Sequence, residues 1–390
     1  MIFVFQVLLI ITSVVIFWIY IGYPLVLVIA VPVKKITEAK SVEFFPSLTL
    51  IIPTYNEARV IQKKIQNVHE LVYPKDKFEM ILVDSASTDG TEKLARQFDP
   101  TMKVVQLGHK PGKARAINSV LPESRGSIIV VTDANAYMHP MALRNVVQVF
   151  TDPKVGAATG SMRQVPYGQD AVSKGGGFYW SMEMFMRTRE AQLHSVVSMS
   201  GELSAVRREL LVDSSNVVRP WYVPRGTDDF EMTLWVIQHG FRVAYVPSAK
   251  VWEYAPDNIR DLFNQKVRII VQTITTVKRN LSVVWKTGLY GIFIFPSRKI
   301  LPLLSPWCIL LLTASATFLV TFTSIWKVLS SLVLVGVSIL VLSSILPIRG
   351  SFFRLARFFV LLNATVFVAW VSYWRGVDFT QWQTVASTRR

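Results

Sequence analysis

Ser47-Leu48-Thr49-Leu50-Ile51-Ile52-Pro53-Thr54-Tyr55-Asn56-Glu57 reads as a short buried strand that runs into a polar turn. β-Branched apolar residues suit an enclosed strand, and the polar residues after it lead into a helix. The pattern repeats downstream. Residues 80–83 end in Asp84-Ser85-Ala86-Ser87-Thr88-Asp89-Gly90-Thr91, residues 103–107 form a third run, and residues 127–132 end in Asp133-Ala134-Asn135. Helix-like stretches at 59–71, 92–98, 114–121 and 141–150 lie between or after them. Alternating strand and helix predicts an α/β fold with a doubly wound, largely parallel sheet.

Ligands bind such sheets beyond the C-terminal ends of the strands. Three of these ends carry acid or amide pairs: Asn56/Glu57, Asp84/Asp89 and Asp133/Asn135. Each pair alone is equally well read as a helix N-cap. Three on one edge suit a hard divalent cation, which binds through one or two carboxylates plus substrate phosphates. Lys110-Pro111-Gly112-Lys113-Ala114-Arg115 adds a basic, Gly-containing turn before a helix, fit for a diphosphate. Neither G-x-x-x-x-G-K-[ST] nor a G-x-G-x-x-G turn after the first strand is present, which argues against a P-loop NTPase or an NAD enzyme.

Further along, Arg225-Gly226-Thr227-Asp228-Asp229-Phe230-Glu231 sets two adjacent carboxylates at the start of an apolar helical run closed by Gly240. Neighbouring like charges resist joint ionisation, so one of the pair could accept a proton near neutral pH. The helix dipole also favours acids in a first turn, and that simpler reading stands beside the catalytic one. His109, His139, His194 and His239 lack metal-ligand spacing. Gly175-Gly176-Gly177 reads as a hinge or a loop-to-helix junction, and Trp221 and Tyr222 as sugar-stacking or core residues.

The 390 residues are 51% hydrophobic yet carry 42 Lys+Arg against 26 Asp+Glu, a pairing that suggests a membrane protein with a water-soluble part and not a nucleic-acid binder. Residues 1–33 hold no charge, enough for one spanning helix with a kink at Pro24. The basic n-region of a cleavable signal peptide is missing. Lys34 and Lys35 place the soluble part, residues 41–256, on the cytoplasmic side. A lone Cys308 excludes an internal disulfide. Residues 257–299 have the mixed apolar and basic character of helices lying in a membrane surface. Residues 300–375 form a second membrane region with spans at 301–324 and 328–346, and residues 376–390 form a tail. The run 358–374 is short, and Arg349, Arg354, Arg357 and Arg375 flank it on both sides. That favours an interfacial or re-entrant path and a cytoplasmic tail.

Taken in order, these motifs resemble the inverting family 2 glycosyltransferases with a GT-A fold, the group of the membrane-bound hyaluronan, poly-N-acetylglucosamine and cellulose synthases. The resemblance covers about residues 48–268. It implies that Glu57 belongs to the opening strand-end motif, that Asp84 meets the nucleotide base and ribose, and that Lys113 and Asn118 lie beside the nucleotide. Asp133 and Asn135 match the D-x-D motif for sugar nucleotide and metal. Ser200-Gly201-Glu202 resembles the acceptor-side segment, with Gly201, Asp228 and Trp221 toward the acceptor. Asp229 falls at the general base, and Gln265 and Arg268 match Q-x-x-R, which contacts the diphosphate. The tail 382–389 resembles the loop that closes over bound nucleotide.

The resemblance implies an integral protein of the cell membrane with a cytoplasmic catalytic domain, a UDP-sugar donor, Mg²⁺ or Mn²⁺, and a lipid-linked or glycan acceptor. Two departures bear on this. Asn135 replaces a charged metal ligand, though an amide oxygen still coordinates. Ile269 stands where processive synthases carry a sugar-stacking Trp, which favours single transfer over a processive polysaccharide synthase. A catalytically silent sugar-binding protein is the reading from a different class.

Overall fold

The computed structural model describes residues 1–31, 43–108, 112–165, 171–213, 215, 218, 228–256, 259–322, 325–346, 350–377 and 388–389. The uncharged start is one continuous helical rod, α1 (Ile2–Phe17) and α2 (Tyr23–Ala30), joined by a π-turn at Trp18–Gly22. Pro24 lacks an N–H and crowds the carbonyl four residues back. The wide turn that precedes it absorbs this clash where the sequence suggested a kink.

Strand β1 (Leu48–Thr54) is buried along its whole length because it lies mid-sheet, parallel to β2 (Phe78–Asp84) on one side and β4 (Ile128–Val131) on the other. β3 (Lys103–Gln106) joins β2 in parallel. The crossovers are α3 (Ile61–His69), α4 (Thr91–Phe98) and α5 (Lys113–Val120). The doubly wound half follows the strand and helix runs read from the sequence.

A second half of the sheet was not legible there. β5 (Ala136–Met138), β6 (Val155–Val165), β7 (Ser204–Arg207) and β8 (Arg242–Tyr254) extend it to the order β3-β2-β1-β4-β7-β6-β8-β5. β7 runs antiparallel to β4 and β6, while β8 is parallel to β6 and antiparallel to β5. The sheet is therefore mixed and mostly parallel. β6 is rich in Gly, Ala, Ser and Thr, so its identity comes from its neighbours and not from an apolar run. Helices α6 (Ala142–Val147), α7 (Ala171–Leu193) and α8 (Asp228–Gln238) complete the domain. Gly175-Gly176-Gly177 lies within α7, not at a junction before it.

The amphipathic helix α9 (Ile259–Arg279) turns Val267, Val271, Ile274 and Val277 into the same core as Phe230, Leu234 and Ile237 of α8. That three- and four-residue spacing makes one apolar stripe. After α10 (Val283–Lys286) the chain is helical from Tyr290 through two π-turns into α11 (Leu301–Leu319), followed by α12 (Ile325–Ile345) and α13 (Ser351–Trp374). The helix thus runs through Arg298 and Lys299, across the boundary at residue 300 read from the sequence. Among the described residues, Ile2–Ala30, Tyr290–Leu319, Ile325–Ile345 and Phe352–Trp374 are long and apolar enough to cross a membrane.

A buried charge network joins these helices to the catalytic-type domain. Arg298 meets Glu183 at 2.6 Å and Glu190 at 2.7 Å, Arg187 meets Glu183 at 3.1 Å, and the Tyr23 hydroxyl donates to Glu190 at 2.8 Å. α13 meets α11 at one level. Asn363 accepts from Ser305 at 2.7 Å, Trp370 Nε1 donates to the Leu303 carbonyl at 2.8 Å, and Phe367 and Trp374 both pack on Trp307. From Asn363 to Trp374 the α13 helix advances about 16 Å, whereas from Leu303 to Trp307 α11 advances about 6 Å. Val366, Ala369, Trp370 and Tyr373 pack onto the core that includes the apolar stripe of α9.

Candidate active site

The polar residues collect beyond the C-terminal ends of β1, β2 and β4. Asp133 follows β4, and one of its carboxylate oxygens takes a hydrogen bond from the Lys113 ammonium at 2.5 Å, at the first residue of α5. Gly201 lies against this pair. A Cβ there would stand 3.0 Å from Lys113 Nζ and 3.5 Å from Asp133 Oδ2, so a larger residue would crowd the Lys113 ammonium and touch Asp133. Burial lowers the Lys113 ammonium's affinity for its proton, but Asp133, Asp228 and Asp229 together more than offset this and hold it above the usual lysine range.

Asp228 and Asp229 occupy the first turn of α8, as read from the sequence. Asp229 accepts from the Phe230 amide at 2.8 Å. Burial, then the charges of Asp229, Asp133 and Glu231, push Asp228 up to about 6 against the opposing pull of Lys113.

The turn that carries Asp133 and Asn135 is clasped from beneath by α3. Lys64 is wholly buried in that helix, donating to the Thr132 hydroxyl at 2.9 Å and the Ala136 carbonyl at 2.5 Å. Asn67, one turn on, exchanges two 2.8 Å hydrogen bonds with the Met138 backbone. Pairing of β5 with β8 sets Ala136 opposite Glu253, and Asn135 Nδ2 reaches that carboxylate at 3.5 Å. Glu202 joins the cluster. Burial first, then the charges of Glu253 and Asp133, raises Glu202, and burial with Asp133 raises Glu253 against the Gln164 hydrogen bond.

Glu57 is 2% exposed, and Arg389 of the C-terminal tail grips it with two hydrogen bonds of 2.8 and 2.7 Å. Burial raises the proton affinity of Glu57, Arg389 lowers it, and Asp133 and Asp89 raise it again. Arg268 of α9 feels both Arg389 and Asp133, so the Q-x-x-R helix does reach this edge. Gln265 is half-buried one turn before it.

Asp84 and Asp89 take a different part. Asp84 has no exposed surface; Thr54 Oγ1 at 2.9 Å, the Ser87 hydroxyl at 2.6 Å and the Ser87 amide at 2.9 Å fill its oxygens. Asp89 ties the Thr91 amide and hydroxyl to the Ala58 amide, while Gly90 stands at the N-cap of α4 where the sequence suggested Asp89. Both fix the turn next to the open edge. Asn118 lies on α5, and Trp221 falls outside the described residues. Lys64 and Glu253 escaped sequence reasoning, and so did the ion-pair role of Arg298, because a single Lys, Glu or Arg outside a motif reads as a surface charge.

The residues fit a divalent cation in one particular way. Among the described residues no three His, Cys, Asp or Glu side chains are grouped to hold a metal by themselves. The donors at the edge are all oxygens, and acidic groups there repel one another. Such a set suits a hard ion whose coordination is completed by substrate phosphates and water.

Residues 46–271 match the family model described as "Glycosyltransferase like family 2". The probable glycosyltransferase YdaM of Bacillus subtilis is 26% identical over 57% of this chain and 54% of its own length. The β-monoglucosyldiacylglycerol synthase of Synechocystis is 28% identical over 57% and 47%, and the poly-β-1,6-N-acetyl-D-glucosamine synthase of Staphylococcus aureus 24% over 70% and 65%. The chain thus spans about half the length of the first two of these relatives. Among solved structures, the mannosyltransferase PcManGT from Pyrobaculum calidifontis in complex with GDP-Man and Mn²⁺ superposes with a TM-score of 0.74 at 25% identity, over 95% of this chain and 100% of that one.

Proposed function

The chain belongs to the glycosyltransferase-like family 2, and from that premise we propose that it transfers a sugar, with inversion, from a nucleoside diphosphate sugar to a membrane acceptor, lipid-linked or glycan. The observation that carries this is the meeting of Asp133, Lys113, Gly201 and the Asp228/Asp229 pair at one sheet edge. Binding groups for an anionic donor stand there beside a carboxylate pair able to take a proton.

Asp133 and Asn135 would hold the divalent ion, Mg²⁺ or Mn²⁺. The ion's chemistry is to neutralise charge on the departing diphosphate. Lys113, Arg268 and Arg389 supply further cations on the donor side, the last from a tail that reaches back to Glu57. An acceptor hydroxyl attacks the anomeric carbon opposite the diphosphate, and Asp229 takes its proton. Asp228, uncharged below about pH 6, keeps Lys113 oriented toward the site when ionised. The resemblance in sequence points to a UDP-sugar, whereas the solved relative binds GDP-Man, so both nucleotides belong in the test. Ile269 is 42% exposed, with no aromatic platform at that position, which supports single transfer over chain growth. The return of Arg389 to Glu57 supports a third C-terminal run that lies in the membrane surface on the cytoplasmic side.

The experiment is to incubate membranes carrying the wild type or Asp229→Asn with labelled UDP- and GDP-sugars and Mn²⁺, then separate polymer from solvent-soluble lipid. Label in the lipid fraction, reduced by about 10²–10⁴-fold in Asp229→Asn while calorimetry shows nucleotide binding retained, is the expected result. Label in a high-mass polymer would replace single transfer by chain growth. Full transfer by Asp229→Asn would remove the base assignment.

A further inference from the structure

Arg298 and Lys299 are adjacent in the Tyr290–Leu319 helix, yet their surroundings differ. Arg298 and Arg187 meet Glu183 and Glu190, two guanidiniums against two carboxylates, so that network is balanced. Lys299 makes no hydrogen bond within it, although Glu183, Arg298 and Arg187 act on its charge. Its ammonium lies 4.3 Å from the centre of the Phe230 ring, and among the described residues no oxygen accepts a hydrogen bond from it. An aromatic face attracts a cation but leaves its three N–H donors unused.

The location gives this cation meaning. Phe230 is buried directly after Asp229 in the first turn of α8, and Asp229 is among the charges that act on Lys299. Two residues before Lys299, the Ser297 hydroxyl accepts from Trp18 Nε1 at 3.0 Å, and Tyr20 and Tyr23 follow on the same rod. Trp and Tyr gather where lipid headgroups meet the hydrocarbon. A lysine within a membrane helix is rare unless it serves a bound group. Lys299 therefore sits at headgroup depth, between the bilayer and the base.

We propose that Lys299 seats the phosphate of a phospholipid acceptor and so holds a headgroup hydroxyl of that lipid within reach of Asp229. The assignment rests on the glycosyltransferase reading above and names its acceptor class. The hydroxyl gives its proton to the Asp229 carboxylate as its oxygen bonds to the anomeric carbon. The bond from that carbon to the diphosphate oxygen breaks, and its electron pair leaves with the nucleoside diphosphate. The lipid phosphate is unchanged; it serves as a handle. Diacylglycerol has the hydroxyl but lacks that handle.

The test uses the full chain in a neutral detergent, with a donor found active in the nucleotide-sugar panel and Mn²⁺. Phosphatidylglycerol and diacylglycerol of equal chain length are compared as acceptors. The wild type is expected to prefer phosphatidylglycerol. Lys299→Gln is expected to lower the ratio of kcat/KM for the two lipids by about 10-fold or more, through KM for phosphatidylglycerol, and Lys299→Arg to restore most of it. Equal use of both lipids by the wild type would overturn the assignment. So would an equal loss on both in Lys299→Gln with a displaced pH profile, the mark of a simple counter-ion to Asp229. Donor hydrolysis without transfer to phosphatidylglycerol overturns the lipid assignment alone. Neither hydrolysis nor transfer with any nucleotide sugar overturns the glycosyltransferase reading beneath it.

Discussion

Lys64 shows how a single residue far from substrate can govern a site. Its ammonium bonds both flanks of the Asp133–Asn135 turn, and burial pushes it down to about 7 although Asp133 partly opposes the shift. In the unfolded chain the same lysine titrates near 10. Between those values the unfolded state binds more protons, so this residue makes stability rise with pH from about 7 to about 10 and adds no slope below. Lys64→Met removes the slope and leaves the Ala136 carbonyl without its donor, at a cost of ~1–3 kcal/mol. Thermal midpoints at about pH 6.5 and about pH 9 test this: the gap between the two should shrink in the variant. A turn released from its clasp should also need more Mn²⁺ to reach half-maximal transfer. The Glu57–Arg389 pair makes a second residue-scale case. Arg389→Gln leaves a buried carboxylate without its counter-charge, so donor affinity by calorimetry should fall by roughly 10-fold, and Glu57→Gln in the same chain should recover stability but not affinity.

Among the elements, the helix from Tyr290 to Leu319 holds the greatest conflict between sequence and setting, since it places two cations in an apolar rod. Arg298 is tolerated because α7 presents Glu183 and Glu190 to it, and α2 adds the Tyr23 hydroxyl. Removing one partner of a buried pair costs about 3–5 kcal/mol, and replacing the whole set by apolar or neutral groups costs far less. Arg298→Met should therefore lower the thermal midpoint sharply, and adding Glu183→Gln and Glu190→Gln should restore most of it. Such pairing is invisible in a linear chain, where Glu183, Glu190 and Arg298 read as separate surface charges. β1 to β4 were legible because each is a compact apolar run with an acid or amide at or near its end. β5 to β8 were not, because residues such as those of β6 become a strand through partners distant in sequence. The acidic edge was legible from motif order, while the enclosure of Asp84 by Thr54 and Ser87 depends on a turn geometry that no spacing reveals.

For the whole molecule, the path of the chain across the membrane is set by where its ends meet. If α1–α2, α11 and α12 each cross a membrane, the rod leads to the catalytic domain, α11 leaves that side and α12 returns to it. If α13 crossed once more, residue 389 would lie on the opposite face from Glu57, yet the two side chains share a bidentate ion pair. Hydropathy alone counts α13 among the helices able to span, so composition and contact disagree. Contact is the stronger argument, because Glu57 and Arg389 are joined directly, while Asn363, Phe367, Trp370 and Trp374 of α13 meet residues 303–307 of α11 and its other face joins the core of α9. The consequence is a difference in labelling. In a Cys308→Ser background and in vesicles of one orientation, Val377→Cys should react with a membrane-impermeant maleimide from the same side as Val72→Cys, both of them exposed. Thr321→Cys, between α11 and α12, should react from the other. Val377→Cys reacting together with Thr321→Cys would mean that α13 spans, and Arg389 would then have to reach its site from a second copy of the chain.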